Sequence, residues 1–388
     1  VSWGDPNRFV HESFGTRVIA GPGVLAGIAV ELRALGVTRP LVLSGTRSGR
    51  SAAHAEILRL LAPMEPVALT DVPQHASLEQ VATGAERARR SGVDGLVALG
   101  GGSVSDTAKA IAVALAEGDP VERFATRFVP GEGFVTPPAR RSKPPILAVP
   151  LTASGAEATP AFGIRAADGA KRLFRDAGVV CRVVLLDPDA TREVPSQVLL
   201  ETGMNGLAHC IEALYARRRS PIATLLAIEG LRRFLAALPA LHDAPLDPGC
   251  RAAVLVAGHL SGQVLAGTGS CLHHAICHVL GARLGLPHGF VNGVVLPHAV
   301  AAVVPDAQAE LADACLRLGL GETAAALPPA LFALQQRIGV PSRLRERVAD
   351  RAVLAPLAAQ VLHERGMANH PRTVDDPREI AAVLEAAW

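Results

Sequence analysis

The chain has 388 residues, 49% hydrophobic, 19% charged and only 3% aromatic, with a formal net charge of +2. A length beyond one ordinary core predicts two domains, and the near-neutral balance, with no basic tail or stripe, argues against a nucleic-acid partner. No apolar run approaches the roughly 18 to 20 residues that span a bilayer, and the start, Val1-Ser-Trp-Gly-Asp5, lacks the form of a secretory signal, so no membrane partner and a cytoplasmic location are expected.

In chain order, short apolar runs alternate with amphipathic helices. Arg17–Gly21 reads as a strand, Val24–Leu35 as a helix, Pro40–Ser44 as a strand and Ala52–Leu61 as a helix. Val67–Leu69 is then a strand, Leu78–Ser91 a helix, Gly95–Leu99 a strand, Ser105–Leu115 a helix and Ile146–Pro150 a strand. Such alternation predicts a parallel, doubly wound Rossmann-like sheet, whose ligands bind at the carboxyl ends of strands. Between the last two elements, Glu117–Pro145 is rich in Pro, Gly and Arg without clear periodicity, and reads either as a lid over a ligand or as a plain surface insertion.

After Val183-Val-Leu-Leu-Asp187 the character shifts. From Pro195 onward the segments have helical period, among them Pro221–Leu238, Arg251–Leu265, Ala307–Leu318 and Thr323–Ile338. The expected fold is therefore α/β, with a dinucleotide-binding domain over residues 1–190 followed by an all-α domain over 191–388. The six cysteines show no CxxC spacing and read as small core residues of a reducing compartment. Cys277 adjoins His278, but neighbours on a helix point in different directions, which favours packing over a nucleophilic role.

The strand ending at Leu99 runs into Gly100-Gly-Gly-Ser103 and then a helix bearing Asp106. Glycines let a ligand approach the backbone, and helix N-terminal amides favour an anion such as a pyrophosphate. Asp106 either accepts a hydrogen bond from a ligand or favours the helix dipole. Leu151-Thr-Ala-Ser-Gly-Ala-Glu157 leaves the next strand with hydroxyls, Thr152 and Ser154, suited to cofactor contact or to capping. Lys171, Arg172 and Arg175 crowd three cations together, either as a solvated hairpin or as a site for phosphate or an acidic substrate.

In Leu272-His-His-Ala-Ile-Cys-His-Val-Leu280, His274 and His278 stand one helical turn apart, and His288 follows in Leu-Pro-His-Gly289. Asn205 and His209, in Gly203-Met-Asn-Gly-Leu-Ala-His-Cys-Ile-Glu-Ala-Leu214, repeat the spacing. An i, i+4 pair shares a helix face, so these positions form a metal-site pattern in which an amide replaces a carboxylate. Buried imidazoles need partners, which makes a purely structural role for four of them costly.

These motifs, with Lys109, Leu286-Pro-His288, Val295-Leu-Pro-His298, Asn369-His-Pro-Arg-Thr-Val374 and the ending Val383-Leu-Glu-Ala-Ala-Trp388, run over nearly the whole length. The chain resembles the iron-containing (group III) alcohol dehydrogenase superfamily, and within it most closely the maleylacetate reductase branch. That resemblance implies an NAD(H)- or NADP(H)-binding Rossmann-like domain, a helical domain, a cleft between them where iron or zinc commonly sits, and a homodimer. It also implies that Gly100, Gly101, Gly102, Ser103, Asp106, Thr152, Ser154 and Lys171 meet the cofactor and that the ligand positions fall on Asn205, His209, His274 and His288. His278 matches a position beside the nicotinamide, and Arg172 and Arg175 lie in a cation-bearing segment that a dicarboxylate substrate would use.

Asn205 offers a divalent ion only a neutral carbonyl oxygen, which lowers metal affinity. The reductase branch carries Met-Asn there too, and its members can act without an obligatory metal; His209, His274, His278 or His288 would then donate to the developing oxyanion or enolate. The expected function is NAD(P)H-dependent reduction of a small carbonyl or conjugated enol acid, such as maleylacetate to 3-oxoadipate. Two departures from the branch stand out: Gly289-Phe-Val-Asn292 after His288, and the long 117–145 insertion. They keep open a metal-dependent alcohol dehydrogenase or aldehyde reductase, while a dehydroquinate synthase-like lyase and a cofactor-binding non-enzyme are rivals of other classes. Leu43-Ser-Gly-Thr46 lacks an acid for a ribose hydroxyl, so NADH and NADPH are both allowed.

Overall fold

The computed structural model describes residues 9–74, 76–129 and 133–388. Its contacts divide the chain into two compact units, one of Phe14–Pro195 and one of residues 9–13 with Ser196–Trp388.

In the first unit, β1 (Arg17–Ala20), α1 (Ile28–Ala34), β2 (Pro40–Gly45), α2 (Ala52–Leu61), β3 (Val67–Val72), α3 (Leu78–Arg90), β4 (Gly95–Gly100) and α4 (Gly102–Glu117) follow one another. Then come β5 (Arg127–Val129), β6 (Gly133–Val135), β7 (Ile146–Pro150), β8 (Ala161–Arg165), β9 (Lys171–Arg175) and β10 (Val183–Leu186). Six strands form a sheet in the order β1-β10-β7-β4-β2-β3, each neighbouring pair parallel. Strands β4, β7 and β10 are buried along their whole length, as parallel strands covered on both faces must be, which is why they read as unbroken apolar runs. Helix starts follow local chemistry: Ser51 caps α2, and Ser77 with Gln80 closes a capping box on α3.

The strand order has one topological switch point. From β2 the chain steps outward to β3, then returns past β2 to β4 and proceeds in the opposite direction through β7 and β10. The reversal leaves a crevice at the carboxyl ends of β2 and β4, where the Gly100–Gly102 turn lies.

The 117–145 segment has more structure than its sequence suggests. A 3-10 turn over Val121–Phe124 leads into the antiparallel pair β5–β6, with residues 130–132 outside the described set. The segment is tied down: Thr126 donates its N–H to Leu173 O (2.7 Å), and the buried Lys143 ammonium lies 3.0 Å from Glu117 and 2.9 Å from Asp176. Three-residue strands are too short to show a period, so the sequence does not reveal them.

The second unit contains α5 (Ser196–Tyr215), α6 (Pro221–Asp243), α7 (Pro248–Thr268), α8 (Leu272–Leu284) and α9 (His288–Val303). It continues with α10 (Gln308–Leu318), α11 (Leu327–Ile338), α12 (Leu354–Val361) and α13 (Pro377–Ala386). Helix α5 is buried on every side from Gly203 to Tyr215. Gly206 permits this, because a Cβ there would lie 2.5 Å from Phe234 of α6 and 2.9 Å from Ser261 of α7.

The expectation that no apolar run nears spanning length needs correcting. His288–Asp306, 19 residues long, is apolar enough to cross a bilayer, though most of it is buried within the bundle. Packed by α5, α8, α11 and α13, α9 is apolar all round because it is a core helix.

Candidate functional site

Chemistry-bearing residues gather at one place in each unit. In the α/β unit, register pairs Gly100 with Pro150, so the turns after β4 and β7 lie side by side, and Leu151 N–H donates to Gly100 O at 3.0 Å. A Cβ at Gly100 would come within 2.5 Å of Val104, and one at Gly101 would stand 3.0 Å from the Thr152 side chain. Gly101 is also the N-cap of α4 and brings no side-chain bond to its first amides. The result is a bare, positively polarised helix end at the switch point, flanked by Thr152 and Ser154, whose hydroxyls are 3.3 Å apart.

Other cofactor candidates already have partners. Ser103 Oγ donates to Gln74 O, so its contribution to an anion would come from its backbone. Asp106 accepts the Gly163 N–H at 3.0 Å, fastening α4 to β8; burial pushes its carboxyl up, against the pull of Lys171 and Lys109. Lys171 stretches across Gly163, where a Cβ would meet its side chain.

The three crowded cations do not act as one patch. In the β8–β9 hairpin Phe162 stacks on Phe174 at 4.8 Å on the buried face, and Arg172 shares that side. Its guanidinium is paired with Glu122 (2.9 Å) and Asp168 (2.7 Å). Strand alternation sends Lys171 and Arg175 to the opposite, more open face.

In the helical unit, Asn205 and His209 project from α5, His274 and His278 from α8, and His288 opens α9 after Pro287. The rings form a row: His209 stacks on His274 with centroids 4.7 Å apart, His278 lies 6.3 Å from His274, and His288 stacks on His278 at 6.2 Å. Asn205 Oδ1 is 3.1 Å from His274 Nε2, and His209 Nδ1 is buried with no hydrogen-bond partner. Burial, with His278 nearby, pushes His274 down to about 3 and likewise depresses His209, so both are neutral near pH 7. His278 is a third exposed and lies 3.5 Å from Glu364.

The structure adds two participants that the sequence does not single out, Glu212 and His273. Glu212 Oε2 lies 2.6 Å from His274 Nδ1, and His273 Nδ1 lies 3.3 Å from the same nitrogen. Glu212, His273 and His274 are the one tight group of potential metal ligands among the described residues. Glu212 was findable, because it continues the Asn205/His209 face of α5 by another turn. Lys109 is wholly buried, its ammonium donating to Ala156 O (2.6 Å), Thr159 O (2.7 Å), Thr159 Oγ1 (3.2 Å) and Ala161 O (3.2 Å). Cys277 is packed, with its sulfur 3.5 Å from His273 Nε2, and burial raises its thiol far above the ordinary range.

Residues 15–188 match the family model for iron-containing alcohol dehydrogenase, and residues 199–388 match that for the C-terminal part of the Fe-containing alcohol dehydrogenase family. Among curated relatives, maleylacetate reductase of Rhizobium sp. (strain MTP-10005) is 35% identical over 87% of this chain and 86% of its own length. That of Pseudomonas knackmussii is 33% identical over 98% and 97%. Among solved structures, maleylacetate reductase from Agrobacterium tumefaciens superposes with a TM-score of 0.83 at 31% identity, covering 98% of both chains. An iron-containing alcohol dehydrogenase from Thermococcus thioreducens gives 0.87 at 27%, covering 98% of this chain and 99% of that one. The family implies a nicotinamide cofactor, iron or another divalent metal, and a small-molecule substrate. The chain belongs to the iron-containing alcohol dehydrogenase family and is an oxidoreductase.

Proposed function

We propose that this oxidoreductase is a maleylacetate reductase-like enzyme, reducing a small conjugated enol acid with NADH or NADPH. The observation that carries the reading is the buried, neutral His209–His274 pair with the Asn205 amide set against His274, where a metal-dependent enzyme would favour a carboxylate.

The α/β unit suits a dinucleotide. The bare N-terminus of α4 can hold a pyrophosphate on the amides of Gly102 and Ser103, with Gly100 and Gly101 keeping the approach open and Thr152, Ser154 and Lys171 beside it. A reduced nicotinamide, when bound, supplies the hydride.

A divalent ion fits less well. Asn205, His209, His274 and His288 bring no negative charge, and the carboxylate that reaches them, Glu212, is already spent on His274 Nδ1. No step is therefore assigned to a metal. As hydride reaches the alkene carbon β to the substrate ketone, charge develops on that ketone's oxygen, and an imidazole N–H aimed there stabilises it. His278 is assigned as the donor ahead of the buried His209 and His274, since partial exposure lets it recover a proton from solvent after giving one to the product. Of the hairpin cations, Arg175, on the more open face of the hairpin, is assigned to a substrate carboxylate, while Arg172, on the face that carries the stacked Phe162 and Phe174, is given to Glu122 and Asp168.

Following absorbance of NADH and NADPH with maleylacetate and with simple aldehydes, before and after chelation, tests the reading. Turnover of maleylacetate that survives chelation is expected; turnover of aldehydes alone, lost with the metal, would refute it. The second reading, a metal-dependent alcohol dehydrogenase, rests on the Glu212–His274 bond, which orients an imidazole as metal-binding histidines are oriented.

A further inference from the structure

Glu212 belongs to α5, yet its carboxylate sits at the start of α8. Its Oε1 accepts the His274 N–H at 3.3 Å, and the N–H groups of Cys271 and His273 point at the same carboxylate. Cys271, the N-cap of α8, makes no side-chain capping bond of its own. Glu212 is thus the cap of α8, supplied from a neighbouring helix; burial pushes its carboxyl up, and the N–H groups converging on it at the positive helix end oppose that push.

With the α8 amides donating to it, the carboxylate serves here as an acceptor, and the 2.6 Å contact then puts the hydrogen on His274 Nδ1. His273 leads to the same assignment independently. Its Nε2 lies 3.0 Å from Asn292 O, an acceptor, so that nitrogen carries the hydrogen, and His273 Nδ1 is left as an acceptor facing His274 Nδ1 at 3.3 Å. A neutral His274 with Nδ1–H has a bare lone pair on Nε2, which stands 3.1 Å from the Asn205 amide. Two acceptors would repel there. Rotating the amide by half a turn puts Nδ2 at the same place and makes a hydrogen bond, and the two orientations fill the same envelope.

We infer that Glu212 is a positioning residue that caps α8 and locks His274 in its Nδ1–H tautomer, so that the Asn205 amide N–H closes His274 Nε2 and the Asn205 oxygen faces away from it. The amide hydrogen stands where a cation would otherwise satisfy the lone pair. A carboxylate at position 205 would need a cation or a proton in between, which gives the Asn a chemical reason to accompany this Glu–His pair. The inference deepens the reductase reading through its kinetic arm only; its structural arm is independent of activity.

The test is nitrogen NMR of the full protein labelled at histidine, with the His274 signals assigned by their loss in H274Q. Wild-type His274 should be protonated on Nδ1 and bare on Nε2, unchanged by chelation. Protonation on Nε2 overturns the inference, and an Nε2 signal that moves on chelation assigns the lone pair to a metal and overturns the part given to Asn205. Glu212→Gln keeps an acceptor for the α8 amides but offers Nδ1 a donor, so His274 should switch to the Nε2–H tautomer. With maleylacetate, kcat should then fall about 10–100-fold while KM for the nicotinamide holds; a switched tautomer with unchanged kcat overturns the positioning role. If E212Q does not fold, the wild-type spectrum alone decides the tautomer. If the spectra agree but no enol acid is reduced, the proposed function fails and the tautomer assignment stands.

Discussion

Each unit buries an ionisable side chain on a helix, and the two are used differently. Lys109 of α4 spends its ammonium on oxygens of Ala156, Thr159 and Ala161, which end there, so the charge pins the turn after β7 to the helix beneath it. Glu212 of α5 also meets backbone groups, but one oxygen holds an imidazole whose other nitrogen faces Asn205. A buried charge is structural when its partners have no second functional side, and it directs chemistry when one of them does.

Lys109→Met should break this contrast at its structural end. Stranding several buried carbonyls should cost about 3–5 kcal/mol in urea unfolding, whereas E212Q, which keeps a capping acceptor, should stay within about 1 kcal/mol of wild type. Equal losses would show that both charges are only struts. His278→Gln sharpens the division of labour: kcat should fall at least about 100-fold while NADPH binding, followed by nicotinamide fluorescence, holds. A variant with normal kcat would remove His278 from the chemistry.

Gly101→Ala should do the reverse. A methyl 3.0 Å from the Thr152 side chain makes that side chain give way beside the helix end, so nucleotide affinity should drop about tenfold, roughly 1.4 kcal/mol, with kcat at saturation little altered. Unchanged affinity would place the pyrophosphate elsewhere. The smallest effect is expected from Arg172→Ala, with less than about 1 kcal/mol of stability lost, since its ion pairs are partly exposed. KM for the enol acid should move less than with Arg175→Ala; the opposite ranking would return Arg172 to the substrate site.

Much of this was legible in one dimension. Strand–helix alternation announced the parallel sheet, because strands buried on both faces must be continuously apolar and their crossover helices amphipathic. The imidazole row was legible too, since four-residue spacing places His274 and His278 on one face whatever surrounds the helix. The β5–β6 and β8–β9 hairpins were harder to read: one is too short for a period, and the other carries Lys171, Arg172 and Arg175 as an apparent cluster that alternation divides between two faces.

By itself, then, the sequence determined which residues share a face: Asn205, His209 and Glu212 on one helix, His274 and His278 on another, and three glycines between a strand and a helix. Only the tertiary structure decided what those faces meet. Glu212 reaches His274 across 62 positions of chain, and the Gly100–Gly102 turn becomes a crevice only because β2 and β3 lie on one side of β4 and β7 on the other. Local periodicity is written in neighbouring residues, whereas the tautomer of an imidazole and the site of a crevice depend on partners that the chain brings together only when it packs.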